Sequence, residues 1–205
     1  MPVNLPHPQP MHDDEAWNRA EPQDRYIYDR LLLASLVGHV CGPAGVPVPK
    51  PGTYMVKPIT NILGMGVGAE ARHLENSTDD LPAGHFWMEM FYGEHLSIDV
   101  YDGKVACVYQ GISDGPGRFL AWIRRPLINI HDVPNFLWEL SVKYGAVNYE
   151  TIGGRIIEAH LRPNPDHLKH DARVLVPIWR GQSTDIPGFV PDADGGRLGF
   201  VVIRT

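Results

Sequence analysis

The dipeptide Asp102-Gly103 constrains this chain more than any other pair of residues. It stands between two stretches, 94–101 and 104–110, in which apolar residues alternate. An Asp-Gly pair so placed closes a two-residue hairpin, because both central residues of that turn need positive φ. The two stretches are therefore expected to pair antiparallel. In that register Leu96, Ile98, Val100, Val105 and Cys107 share one face, the expected core face. A second pair, Gly153-Gly154, separates two more strand-like runs within 146–160. Hairpins of this kind, mixed with a few helices, predict an α+β fold built on antiparallel sheets.

The helical signals are few. After Asp24, the residues Tyr26, Ile27, Arg30, Leu31, Leu33, Ala34 and Val37 recur at helical spacing, and Gly38 stops the run. Asp132 is the expected cap of another helix, with Phe136, Leu137, Leu140 and Val142 as its apolar side and Gly145 as its stop. Further strands are expected at 54–58, 85–92, 118–124 and 198–203. Residues 1–23 are rich in proline and polar side chains, so an extended or disordered arm is expected there. It is either a floppy terminus or an arm that packs on a second copy in a homo-oligomer. Residues 24–205 are read as a single domain, with a smaller lobe over about 50–90 and a larger one over about 91–205.

Bulk composition narrows the function classes. The 205 residues suffice for a real core, and 43% hydrophobic with 20% charged residues is ordinary for a soluble protein. The net charge of -6, with no basic stripe, argues against duplex nucleic acid as a partner. Two cysteines, Cys41 and Cys107, form no CxxC motif or disulfide framework. The start lacks the basic and apolar regions of a signal peptide, and no apolar run approaches a membrane span. A soluble, cytoplasmic protein without a membrane partner is the expectation. Gly 21 and Pro 19 exceed the roughly 12% combined share usual for globular chains, and their clustering between apolar runs predicts many tight turns.

Three segments carry chemistry. In the first, Lys57 and Pro58 end a strand that runs into a loop over 61–69 with Gly64, Gly66 and Gly68. Glycines let backbone N–H groups turn towards an anion, and a nearby lysine adds a point charge. A surface loop with a solvated lysine would give the same string. In the second, Glu89 and Glu94 sit at a strand break in apolar surroundings. They read either as a hinge that meets adenine and ribose or as a half-exposed strand.

The third segment spans 146–162. A two-residue turn at Gly153-Gly154 would mix polar and apolar side chains on both faces. A three-residue loop over 152–154 places Asn148 opposite Glu158 and Glu150 opposite Ile156. Asn148, Glu150, Glu158 and His160 then share one face, and Val147, Tyr149, Ile157 and Ala159 the other. The cleaner sorting selects the three-residue loop, with Gly154 at positive φ. This gathers two carboxylates, an amide and an imidazole on one face: unpaired acids so placed repel or recruit a divalent cation, carboxylate and amide oxygens suit Mg²⁺, and Asn148, Glu150, Glu158 and His160 are the candidate metal ligands. A solvent-washed face neutralised by Arg155 and Arg162 is the alternative.

The order of these segments resembles the ATP-grasp superfamily. The matching motifs are Val56-Lys57-Pro58 with the glycine loop, then Glu89 with Gly93-Glu94, then Glu158-Ala159-His160, across residues 50–165. The resemblance implies ATP and Mg²⁺ as cofactors. It implies that Lys57 contacts phosphate, the loop with Gly64, Gly66 and Gly68 covers it, Glu89 meets adenine and Glu94 the ribose. It further implies that Asn148 and Glu158 hold metal and that Arg162 faces the transferred phosphoryl group. The family usually has an acid where Asn148 stands and an amide where His160 stands, so Glu150 is the candidate for the missing carboxylate. Family ligases carry an N-terminal substrate domain, and only about fifty residues precede Lys57, so that domain is expected to be lacking. The implied activity is an ATP-dependent carboxylate–amine ligase acting through an acyl phosphate on a small-molecule or protein carboxylate. The altered metal positions equally suit a non-catalytic binding or assembly module.

Overall fold

The structure is a computed structural model that describes residues 9–60, 68–115 and 118–204. The strands form two sheets, and every pairing is antiparallel. One sheet is built from β1 (Cys41–Pro43), β2 (Gly52–Pro58), β3 (Glu70–Leu74) and β4 (His85–Glu89), in the order β1-β4-β2-β3. The other is built from β5 (His95–Tyr101), β6 (Lys104–Gly115), β7 (Arg118–Arg125), β8 (Ala146–Ile152), β9 (Arg155–His160), β10 (Val174–Trp179), β11 (Phe189–Asp194) and β12 (Arg197–Ile203). Its order is β11-β12-β10-β7-β6-β5-β8-β9. Among the described residues, four short α-helices accompany them: α1 (Asp13–Arg19), α2 (Arg30–Leu36), α3 (Asn135–Tyr144) and α4 (Pro165–His170). No described helix is long and apolar enough to cross a membrane.

The two faces of the large sheet differ. On one, Ile98, Val100, Val108, Val147, Tyr149, Ile156 and Ala159 pack with Ala16, Leu33, Leu137 and Leu140 from the helices. The alternation of β5 puts His95, Ser97 and Asp99 on the opposite face, together with Asn148, Glu150, Glu158 and His160.

Both hairpins depart from the expected register by one bulge. In the first, Val100 pairs with Val105 as expected, but Asp99 then pairs with Cys107. Ala106 is the extra residue, so Cys107 leaves the core face and Val108 takes its place. The second hairpin closes with the two-residue turn after all: Ile152 pairs with Arg155, and Gly153 and Gly154 both have positive φ. A bulge at Ile157 follows, so that Glu150 faces Glu158 and Asn148 faces His160. The expected pairs Asn148–Glu158 and Glu150–Ile156 do not form. The polar face forms nevertheless, because the bulge absorbs the residue that the longer loop was meant to absorb. Ile156, not Ile157, joins the core.

Three other expectations change. Residues 13–19 are a helix docked on the body rather than an extended or disordered arm: Ala16 and Ala20 are buried, and Arg19 donates to the Leu161 carbonyl at 2.9 Å. The helical run from Asp24 is broken into a 3₁₀ turn over Pro22–Tyr28 and α2. Asp29 is extended between them because it bridges Thr60 and caps α2, accepting from Leu32 N at 2.8 Å. Asp132 lies in a separate 3₁₀ turn, so α3 starts later, and Val142 is exposed rather than buried.

Candidate functional site

Between the two sheets lies a cleft of about 610 Å³. The small sheet contributes Met55 and Lys57 from β2 and Met88 and Glu89 from β4, continued by Met90 and Phe91. The large sheet contributes its polar face: His95, Asn148, Glu150, Glu158 and His160. Arg162 and the N-terminal residues Asp13 and Asp14 close one side. One end is thus methionine-rich and aromatic, the other ionic.

Lys57 reaches across the cleft. Its Nζ donates to the Ile157 carbonyl on the bulge of β9 at 3.0 Å, and it is only 6% exposed. Burial lowers its pKa to about 8, partly offset by Glu158. Glu150 and Glu158 stand directly opposite each other on β8 and β9. Their charges are met from within the chain: His95 Nε2 lies 2.7 Å from Glu150, and Arg30 Nη2 lies 3.1 Å from the partly buried Glu158. Burial would raise the Glu158 carboxyl, but Arg30, His160 and Lys57 outweigh it and hold it below the usual carboxylate range. His95 is held above the usual imidazole range, burial opposing and Glu150 prevailing. The counter-ions expected from sequence, Arg155 and Arg162, are used elsewhere. Arg155 approaches Glu89 at 3.5 Å.

Arg162 is gripped by α1. Its Nε and Nη2 donate to the two carboxylate oxygens of Asp13 at 2.8 and 2.7 Å, and Nη1 donates to the Pro163 carbonyl at 3.1 Å. His160 Nδ1 lies 2.9 Å from the same carboxylate. Burial would raise the Asp13 carboxyl. His160 and Arg162 overcome that and hold it far below the ordinary range.

Asn148 is fixed by its amide nitrogen, which donates to Ser97 Oγ at 3.0 Å and Asp99 Oδ1 at 2.9 Å. That orientation puts its oxygen on the other side. The oxygens able to hold a hard divalent cation here are therefore those of Asn148, Glu150 and Glu158. His160 contributes a nitrogen already turned to Asp13.

Comparison with solved structures decides the fold. A protein of Archaeoglobus fulgidus described as an ATP-grasp superfamily member superposes with a TM-score of 0.51 at 14% identity, covering 87% of this chain and 64% of that one. The fold is ATP-grasp-like. An L-amino acid ligase from Bacillus licheniformis follows at a TM-score of 0.47 and 12% identity, covering 72% of this chain and 43% of that chain. A D-alanine–D-alanine ligase from Bacillus anthracis follows at 0.37 and 12%, covering 69% and 58%. The fold assignment rests on the first of these. The chain spans less than two thirds of the length of each structure. No protein-family model and no curated protein matches the sequence.

Within the ATP-grasp-like fold, the sequence-derived residues separate into three groups. Lys57, Glu89, Asn148, Glu150, Glu158, His160 and Arg162 meet at one cleft. Glu94 is not among its lining residues: its side chain pairs with Arg125 at 3.3 Å on the surface, and its carbonyl accepts from Gly153 N at 2.9 Å. Gly93 instead serves packing, since a Cβ there would lie 2.9 Å from the Gly153 Cα. Gly68 is at positive φ against Pro58, while Gly64 and Gly66 lie outside the described residues. Sequence reasoning missed Arg30, His95 and Asp13. Arg30 was assigned to the apolar stripe of a helix, and Asp13 to an arm. Only their contacts more than fifty residues away reveal them.

Proposed function

We propose that the cleft binds ATP together with Mg²⁺ and that the chain acts as an ATP-dependent carboxylate–amine ligase. The observation that carries this reading is Lys57. It comes from the small sheet, yet it sits beside Glu158 on the large sheet, inside one cleft with an apolar end and an ionic end. The volume of about 610 Å³ is in the range of small-molecule sites. The donor set also fits: Asn148, Glu150 and Glu158 offer only oxygens, which suit a hard cation.

In this reading Met55, Met88 and Phe91 take the base, and Lys57 draws the phosphates as a point charge. Glu150, Glu158 and Asn148 would hold Mg²⁺. A bound Mg²⁺ supplies charge neutralisation on the phosphate oxygens. Arg30 holds Glu158 ionised, and His95 orients Glu150 from 2.7 Å, which readies both as ligands. Arg162, oriented by Asp13, presents a fixed guanidinium where negative charge develops. The acceptor carboxylate belongs to a small molecule or to a protein.

The test is titration calorimetry with Mg-ATP against Mg²⁺ alone. Wild-type protein should bind, and Lys57→Ala should weaken binding by about 1.5–3 kcal/mol, the worth of a charge-assisted contact. No heat at millimolar Mg-ATP would refute the nucleotide reading. A second reading, a binding module without turnover, is favoured by the full engagement of Arg162 with Asp13 and Pro163. Mg-ATP binding with no ADP formed over any panel of carboxylates and amines supports the module. ADP formation abolished by Glu158→Gln supports the ligase.

A further inference from the structure

The same polar sheet face continues beyond the cleft and passes under α4. Asp99 on β5, Cys107 on β6 and His167 on α4 meet there, with their ligand atoms all within 4.8 Å of one another. The ATP reading uses none of the three. The Ala106 bulge brings Cys107 to this face, and the Asn164 cap places α4: its side chain accepts from Asp166 N at 3.0 Å.

We propose that Asp99, Cys107 and His167 form a buried site for a thiophilic divalent transition metal, with Zn²⁺ the best match. Cys107 Sγ lies 3.2 Å and His167 Nδ1 3.6 Å from Asp99 Oδ2. Ligands at zinc bond lengths of about 2.0–2.3 Å on a tetrahedron are separated by about 3.3–3.7 Å. Both distances to Asp99 Oδ2 are therefore close to ligand spacing, and the thiol and imidazole lie within 4.8 Å of each other.

The second observation is His167 itself. Its side chain is 0% exposed, yet neither ring nitrogen has a hydrogen-bond partner among the described residues. A buried imidazole with two unsatisfied nitrogens is costly unless something binds one of them. Tyr109 stacks on the ring at 4.0 Å and Trp122 meets it edge-on, which fixes its plane. Nδ1 is the nitrogen that faces Asp99.

The surroundings of Asp99 divide its two oxygens. Oδ1 accepts from Asn148 Nδ2 and from Asn164 N, both at 2.9 Å. Oδ2 faces Cys107 and His167. Anchoring of one oxygen while the other ligates is the usual outer-shell arrangement of a metal carboxylate. Charge also balances, since one carboxylate, one thiolate and a divalent ion sum to zero, which a site with Asp99 at 0% exposure requires. Without an ion, the Cys107 thiol donates its proton to the carboxylate in a hydrogen bond of 3.2 Å. Metal binding releases that proton to solvent and forms the Cys107 Sγ–metal bond.

The test uses the full chain, unfolded, stripped with a chelator and refolded with Co²⁺ or Zn²⁺ alone. One metal per chain is expected, with cobalt–thiolate charge-transfer absorption and the strong visible bands of a tetrahedral site. Cys41→Ser should keep that spectrum and Cys107→Ser should abolish it. Should Cys107→Ser fail to fold, His167→Gln decides, because it keeps the thiol but should lose the tetrahedral bands and at least tenfold in zinc affinity. Mg²⁺ in the cleft cannot imitate the result, since magnesium does not bind thiolate. Refolded wild-type protein without a thiolate band overturns the proposal. So does a band that survives Cys107→Ser and disappears in Cys41→Ser.

Discussion

The polar face of the large sheet has two ends that handle charge differently. At the cleft end, Glu150 and Glu158 stand opposite each other and are met by full cations and an imidazole: Arg30, Lys57 and His95. At the α4 end, Asp99 is wholly buried and is met by dipoles: an amide, a backbone N–H and a thiol. Point charges can exchange partners with an incoming ligand, because a phosphate can replace a carboxylate beside Lys57 or Arg30. A carboxylate held by fixed dipoles has no such freedom, and only a group that fits between its neighbours can join it. The open end is suited to a ligand that comes and goes, the covered end to one that stays.

The largest effect should come from the grip of α1 on the cleft. Asp13→Ala strands the buried Arg162 guanidinium and should remove about 3–5 kcal/mol of stability in urea unfolding. An equal loss in an Arg162→Met, Asp13→Leu double variant would show that α1 itself, not the uncompensated charge, was lost. The pH dependence has a definite sign. The Asp13 pKa is lowered in the folded state from an ordinary 3.8, so its contribution is present above that value and is lost as pH falls through the folded pKa. Asp13→Asn should therefore flatten the steepening of acid unfolding below pH about 4.

At the covered end, Asp99→Ala leaves the Asn164 N–H without its acceptor, while the Asn148 amide keeps Ser97 Oγ. With about 1–3 kcal/mol for a stranded buried donor, the loss should be about 1–3 kcal/mol, read from urea unfolding. The same change at the open end, Glu150→Ala, should cost less, because His95 can lose its proton once its partner is gone. Equal costs would erase the distinction between the two ends.

A pH titration sharpens the comparison further. Lys57 has a folded pKa of about 8, and an arriving triphosphate favours its charged form. Mg-ATP affinity should then fall as pH rises through about 8, by up to about tenfold per unit, with proton uptake seen in buffers of different ionisation enthalpy. A flat profile in which Lys57→Ala still weakens binding would mean that Lys57 is charged before the nucleotide arrives. The smallest effect belongs to Glu94→Gln. Its pairing with Arg125 is exposed, so stability should move by less than about 0.5 kcal/mol and nucleotide affinity not at all.

What the sequence made legible follows from the range of the physics involved. The hairpins at Asp102-Gly103 and at Gly153-Gly154 were readable, since turn chemistry and alternation act over a few residues. The bulges at Ala106 and Ile157 were not, because each is set by what packs on both faces at once. Their consequences differ. The bulge at Ile157 restored the polar face that the chosen loop had been meant to give. The bulge at Ala106 moved Cys107 to the opposite face of the sheet, where it is buried in a second core cluster and meets His167. Lys57 and Glu158 share the cleft, a proximity that the order of the motifs made legible. Arg30, His95 and Asp13 were missed because their roles are long-range pairings. The short strands β1, β3, β10 and β11 and the helix α4 lack clear periodicity and become ordered by their neighbours.

Asp13 and Arg19 have partners 149 and 142 residues further along the chain. At about 5–20 residues per second of synthesis, α1 leaves the ribosome about 7–30 s before the strand it docks on exists. A seven-residue helix has no stability of its own over that time. Its acidic first turn stays in water until β9 has been laid down, and the side wall of the cleft is therefore made well before the strand it rests on and is among the last parts to close.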